Sequence, residues 1–211
     1  MKTDIMLEKL SKTLPGGLGK LHANMIDALL DKHSESCLDV GCGRGAFTSM
    51  RNYYSVGVDI FAPNLPIARD KGYYREVLQC DVNYLPFGPK SFDSVVCVEV
   101  IEHLEKQAGQ ELLRNLEGIA RRQVIIMTPW GFDELKERHD NVHLNHLSGW
   151  LPDEFTSMGY EVYPFYYPRY PAGNHPAQII GRYALLPVLY PLIRANPDKW
   201  VQDFAAVKSM N

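Results

Sequence analysis

Two groups of residues are of types, and at spacings, that can do chemistry. The stretch CLDVGCGRG, Cys37 to Gly45, ends an apolar run in Asp39 and then places Gly41, Gly43 and Gly45 at alternate positions. Glycine has no Cβ and takes positive φ at little cost, so a ligand can approach the main chain there. The second group is Glu99, Glu102 and His103, where an apolar run passes into an amphipathic one. That spacing brings two carboxylates and an imidazole to one rim, suited to moving a proton. His139, His143 and His146 follow in a polar loop; His146 is the first candidate among them, with His103 as the competing general base.

Two further acids end apolar runs. Asp59 closes VGVD about 20 residues past the turn, where an acid can accept both hydroxyls of a ribose. Asp81 closes LQCD, placed to accept from an adenine amino group. The glycines do not follow the GxGxxG of dinucleotide enzymes, because the third comes one residue early. An NAD-dependent enzyme therefore ranks last.

The elements that must position these residues alternate. From Ser36 onward, short apolar runs (CLDV, SVGVDI, YREVLQCD, SFDSVVCVEV, RQVIIMTP) are separated by helix-like stretches, predicting βαβ units and a parallel sheet covered on both faces. Residues 105–120 carry Leu112, Leu113, Leu116 and Ile119 on one helical side, which should pack on that sheet. A long polar loop follows, then a short capped helix in SGWLPDEF, a sixth strand, and a closing strand in DFAAVKSM. Residues 3–34 read as helices broken at Pro15 to Gly17. The expected organisation is an N-terminal helical cap, 1–35, and a sheet domain, 36–211, with a lid-like insertion near 168–198. In the Tyr/Pro-rich part, Tyr163, Phe165, Tyr166, Tyr167 and Tyr170 can wall an acceptor or serve as strand core and edge.

With 211 residues, 45% hydrophobic and 22% charged, the chain has the balance of one globular domain with additions. A net charge of −3 gives no global pull toward phosphate backbones, so nucleic acid is a disfavoured partner. Cys37, Cys42, Cys80 and Cys97 match neither redox nor zinc spacing and read as small buried hydrophobes in a reducing compartment. The N-terminus has no apolar core of the secretory kind, predicting a cytoplasmic protein that starts near Met1. No run is apolar enough for a membrane span, although Ile179 to Ile193 could rest on a membrane surface or form a lid, the latter preferred.

The ordered series LDVGCGRG, GVDI, CDVNYLPF and SFDSVVCVEVIEHL resembles the class I S-adenosylmethionine-dependent methyltransferases, in particular the branch with Glu-x-x-Glu-His after strand four. The resemblance covers about residues 35–165 and the closing strand. It implies an α/β, Rossmann-like, seven-stranded mostly parallel sheet with helices on both faces and an antiparallel last strand. It implies S-adenosylmethionine as donor and S-adenosylhomocysteine as product. Gly41, Cys42 and Gly43 would line the methionine part, with Asp39 shaping the turn. Asp59 and Ile60 would take the ribose, Asp81 and Val82 the adenine, and Glu99 would stand at the cofactor.

The expected activity is methyl transfer to a small-molecule or lipid-like acceptor, with His103 and His146 as candidate catalytic residues. One rival is a metal-assisted RNA 2′-O-methyltransferase, since members resembling this sequence bind a divalent ion through Glu-x-x-Glu-His and a later histidine. In those, Glu99, Glu102, His103 and His146 would correspond, His146 preceding Trp150 by four in HLSGW. The metal-free reading is preferred, because many members keep the same residues without a metal. The other rival is a non-catalytic cofactor-binding protein of the same fold.

Overall fold

The computed structural model describes residues 18–132, 142–165 and 203–210. The first helical stretch before Leu18, His139, Tyr166, Tyr167, Tyr170 and the insertion near 168–198 lie outside the described residues.

Seven strands form one sheet: β1 Ser36–Val40, β2 Tyr54–Asp59, β3 Glu76–Gln79, β4 Phe92–Val98, β5 Ala120–Pro129, β6 Glu161–Phe165 and β7 Asp203–Ser209. Their order across the sheet is β3-β2-β1-β4-β5-β7-β6. Strand β7 runs antiparallel to both β5 and β6, and the other neighbours pair in parallel. The expected seven-stranded, mostly parallel sheet with an antiparallel last strand is borne out.

All five residues of β1 are buried, as in a strand covered on both faces. On one face lies α3, Lys106–Ile119, whose Leu112, Leu113, Leu116 and Ile119 pack with Leu38, Val95, Val124 and Phe204. On the other lies α1, Leu18–Leu29, where Met25 and Ile26, with Leu30 just beyond, cover Cys37, Val96, Ile125 and Met127. A third helix, α2 (Asn64–Asp70), follows β2 and packs Leu65 and Ala68 on Cys42 and Val77. The last, α4 (Pro152–Ser157), starts with proline at its first position, and the Glu154 carboxylate accepts the N–H of Leu151 at 2.8 Å.

Two strands are shorter than their apolar runs. The third ends at Gln79 because Asp81 leaves the ladder to cap the 3₁₀ turn Val82–Tyr84, accepting from the Asn83 N–H at 2.9 Å. The fourth ends at Val98 because Glu99 turns the chain with φ of 54°. Among the cysteines, Cys37, Cys42 and Cys97 are buried as expected, whereas Cys80 is only half-buried.

Candidate active site

The site lies at the carboxyl ends of β1, β2, β3 and β4, the usual ligand crevice of an open parallel sheet. It is a cleft of about 580 Å³. One wall is the turn after β1, with Gly41, Cys42, Gly43 and Arg44; beside it stand Asp59, Ile60 and Phe61 after β2, and Asp81, Val82 and Asn83 after β3. The lining is completed by Val98 to Val100, His103 and Leu104 after β4, by His143, Leu144, Asn145 and Leu147, and by His22 from α1; His146 is not among the lining residues.

The glycine turn has a distinct reason at each position. Gly41 has φ of 75°, and a Cβ there would collide with Val100 Cγ2, so internal packing already demands glycine. Gly43 has φ of 54°, and a Cβ there would meet no heavy atom within 4 Å. Its backbone is therefore open to the cleft. The Asp59 carboxylate organises the same turn: Oδ2 accepts the Gly43 N–H and Oδ1 the Phe61 N–H, each at 2.8 Å. Each carboxylate oxygen has a second lone pair, so these bonds leave capacity for a hydroxyl.

Asp39 lies beneath the turn rather than on the cleft wall, and is 1% exposed. Tyr74 Oη donates to its Oδ2 at 2.6 Å, while Oδ1 is buried with no hydrogen-bond partner among the described residues. Burial pushes its carboxyl up to about 7, against the opposing Tyr74 bond and with help from the Asp59 charge. Asp81 accepts from both nitrogens of Asn83 through Oδ1. Cys42 lines the cleft but turns its sulfur inward: a Cβ on Gly57 would come within 2.9 Å of Sγ.

Across the cleft, Glu99 is one of two non-glycine residues with positive φ among those described, and its N–H donates to the Met127 carbonyl at 2.9 Å. A left-handed glutamate costs on the order of 1–2 kcal/mol, the kind of strain held at functional sites. The following 3₁₀ turn, Ile101–His103, sets Glu102 inward at 1% exposure and His103 toward the cleft. Thr128 Oγ1 donates to Glu102 Oε2 at 3.0 Å; Glu102 Oε1 has no hydrogen-bond partner among the described residues and stands 3.9 Å from His103 Nε2. Burial raises the Glu102 carboxyl to about 8, with Asp203 adding to the effect.

Trp150 holds the next segment in place. Its ring is buried, Nε1 donates to Ser148 Oγ at 3.0 Å, and Lys106 Nζ lies 3.6 Å from the ring centroid. The Glu102 carbonyl accepts the N–H groups of Leu147 and Ser148. These bonds place His146 against His103, with ring centroids 4.9 Å apart. His103 Nδ1 bonds the Asn145 carbonyl at 3.1 Å, and burial pushes the imidazole below its ordinary value. Of the four residues named for the metal-assisted rival, Glu102, His103 and His146 each offer a ligand atom within 4.8 Å of the others, while Glu99 is not part of that group.

Sequence reasoning missed Tyr74, Thr128, His22 and Asp203. His22 Nε2 lies 3.0 Å from Asp203 Oδ2 across 181 positions, a separation no spacing rule detects. An acid immediately preceding the buried run FAAV was the one local signal for Asp203.

The donor group fits this cleft on three counts. Gly43 presents open backbone, Asp59 and Asp81 stand at successive strand ends, and a buried Asp39 oxygen below the turn has no hydrogen-bond partner among the described residues. Residues 38–127 match a family model described as a methyltransferase domain. The fold is that of the class I, Rossmann-like S-adenosylmethionine-dependent methyltransferases, and residues 38–127 are similar to a methyltransferase domain.

Among individual proteins, the chain is 32% identical over 106 residues to the probable tRNA methyltransferase 9B of Bos taurus, covering 48% of this chain and 22% of that one. It is 26% identical over 142 residues to the ubiquinone biosynthesis O-methyltransferase of Rickettsia typhi, covering 63% and 54%. The chain thus spans about a fifth of the first relative and about half of the second. A solved S-adenosylmethionine-dependent methyltransferase from Archaeoglobus fulgidus superposes with a TM-score of 0.62 at 20% identity, covering 92% of this chain and 95% of that one. Among the described residues, no helix is long and apolar enough to cross a membrane.

Proposed function

We propose that the chain transfers a methyl group from S-adenosylmethionine to a small-molecule or lipid-like acceptor. The observation that carries this reading is the charge of the cleft. Among the described lining residues Arg44 is the one lysine or arginine, against Asp59, Asp81 and Glu99. A nucleic-acid acceptor needs several cations on its phosphates, and a small neutral or cationic acceptor does not. The O-methyltransferase relative from Rickettsia typhi is compatible with such an acceptor.

When bound, the donor supplies a methyl already activated on a sulfonium. The protein's work is then to position and to desolvate. In this reading Gly41, Cys42 and Gly43 offer backbone to the amino-acid tail, Asp59 with Ile60 holds the ribose hydroxyls, and Asp81 with Val82 holds the adenine edge. Asp39 supports the turn from below. Glu99 closes the donor side, His103 faces the acceptor, and His146 packs against the His103 ring.

A second reading is a metal-assisted RNA 2′-O-methyltransferase, favoured by the Glu102, His103 and His146 cluster and by the tRNA methyltransferase relatives. A carboxylate with two imidazoles suits Mn²⁺ or Zn²⁺, and a bound cation would offset the burial of the Glu102 charge. The ion would supply Lewis acidity to an acceptor hydroxyl.

The test incubates the protein with methyl-labelled S-adenosylmethionine and fractionated cell extract, with and without chelator. Label in small molecules or lipid that ignores chelator supports the first reading. Chelator-sensitive label in RNA replaces it with the second. S-adenosylhomocysteine binding with no label in any fraction identifies a non-catalytic protein of this fold.

A further inference from the structure

Asp203 opens β7 at the carboxyl end of β5, in register with Pro129. Its side chain is 2% exposed, and His22 from α1 comes down on it with Nε2 at 3.0 Å. The same histidine is one of the residues that line the cleft. An imidazole with one nitrogen on a buried carboxylate and its ring at a substrate cleft is the arrangement of an oriented general base. His103 is built differently: its Nδ1 faces a backbone carbonyl, its ring packs on His146, and the Glu102 carboxylate stands 3.9 Å from its Nε2, beyond hydrogen-bond distance. A carboxylate in hydrogen-bond contact, as Asp203 is to His22, both orients the ring and balances the charge of an imidazolium.

We propose that His22, oriented by Asp203, accepts the proton that the methyl acceptor releases; this rests on the methyltransferase reading above. In the step, a lone pair on the acceptor heteroatom forms the new bond to the methyl carbon. The sulfur–methyl bond breaks with its electron pair going to sulfur, leaving neutral S-adenosylhomocysteine. The acceptor's proton passes to the His22 ring and from there to solvent, while Asp203 acts as a positioning residue. The competing explanation is a staple that fastens α1 to the sheet.

His22→Gln separates the two, since a glutamine amide retains an N–H for Asp203 but cannot take up a proton. The full chain and its His22→Gln, His22→Ala and Asp203→Asn variants are compared in labelled methyl transfer to the responsive extract fraction, with S-adenosylhomocysteine affinity measured by calorimetry. Expected are retained affinity, a fall in turnover of roughly two orders of magnitude in His22→Gln, and partial rescue of His22→Ala by added imidazole. Asp203→Asn should lower kcat while leaving the KM for S-adenosylmethionine unchanged. Unchanged turnover in His22→Gln with affinity intact overturns the proposal and leaves the methyltransferase reading standing. Failure of the unaltered chain to bind S-adenosylhomocysteine, or to transfer any label, removes both.

Discussion

Gly43 and Asp59, 16 positions apart, are joined by a 2.8 Å hydrogen bond that ties the turn after β1 to the end of β2. The residue expected to hold a ribose is therefore also the residue that shapes the glycine turn. Asp59→Ala should weaken S-adenosylhomocysteine binding by about 1–3 kcal/mol, the range for lost bonds to a charged group. Asp59→Asn, which keeps one acceptor, should lose less. Calorimetry on both decides the point, and unchanged affinity in Asp59→Ala removes Asp59 from the site.

The glycines of the turn should respond in opposite ways. Gly41→Ala collides with Val100 and should lower the melting temperature strongly. Gly43→Ala meets no protein atom, so its stability loss should be held to about 1–2 kcal/mol from the left-handed backbone. Its added methyl enters the cleft, however, and S-adenosylhomocysteine affinity should fall about tenfold or more, a loss of roughly 1.4 kcal/mol per tenfold. Equal affinity in Gly43→Ala and the unaltered chain would place the donor elsewhere.

Burial of Asp39 predicts a pH dependence. Its folded-state carboxyl is raised to about 7 from the ordinary 3.8, so the folded chain binds the extra proton between those values. Stability from this group is fully present below about pH 4 and is lost as pH rises through 7, at about 1.4 kcal/mol per unit of displacement. Asp39→Asn, which still accepts from Tyr74, should flatten that slope and raise the denaturation midpoint at pH 8 more than at pH 5. A parallel slope in both proteins would show that Asp39 is ionised throughout.

Glu99 offers a trade between stability and binding. Glycine takes its φ of 54° without strain, so Glu99→Gly should unfold at a midpoint no lower than the unaltered chain. Donor affinity should fall in the same variant if the carboxylate stands at the donor. A variant that loses stability and keeps affinity would make Glu99 a structural residue.

How much was legible in the sequence follows from the range of the interactions involved. The alternation of buried strands with amphipathic helices, the left-handed glycine turn, and the acids at the ends of β2 and β3 are local patterns, each written in a few neighbouring residues. The parallel sheet and the location of the crevice were readable from them, while the antiparallel last strand came from the family resemblance those patterns carry. Strand ends were less so, because Glu99 and Asp81 leave the ladder for reasons of turn geometry that propensity does not carry. What only the tertiary structure decided is which distant groups meet. Tyr74 reaches under the turn to Asp39 from 35 positions away, Thr128 meets Glu102, and α1 delivers His22 onto Asp203. These pairings depend on how helices lie across the sheet, and burial there is what displaces the Asp39 and Glu102 carboxyls from their ordinary values. The sequence by itself determined a donor-binding fold; the packing of its layers decided the electrostatics of the cleft and which histidine meets a buried carboxylate.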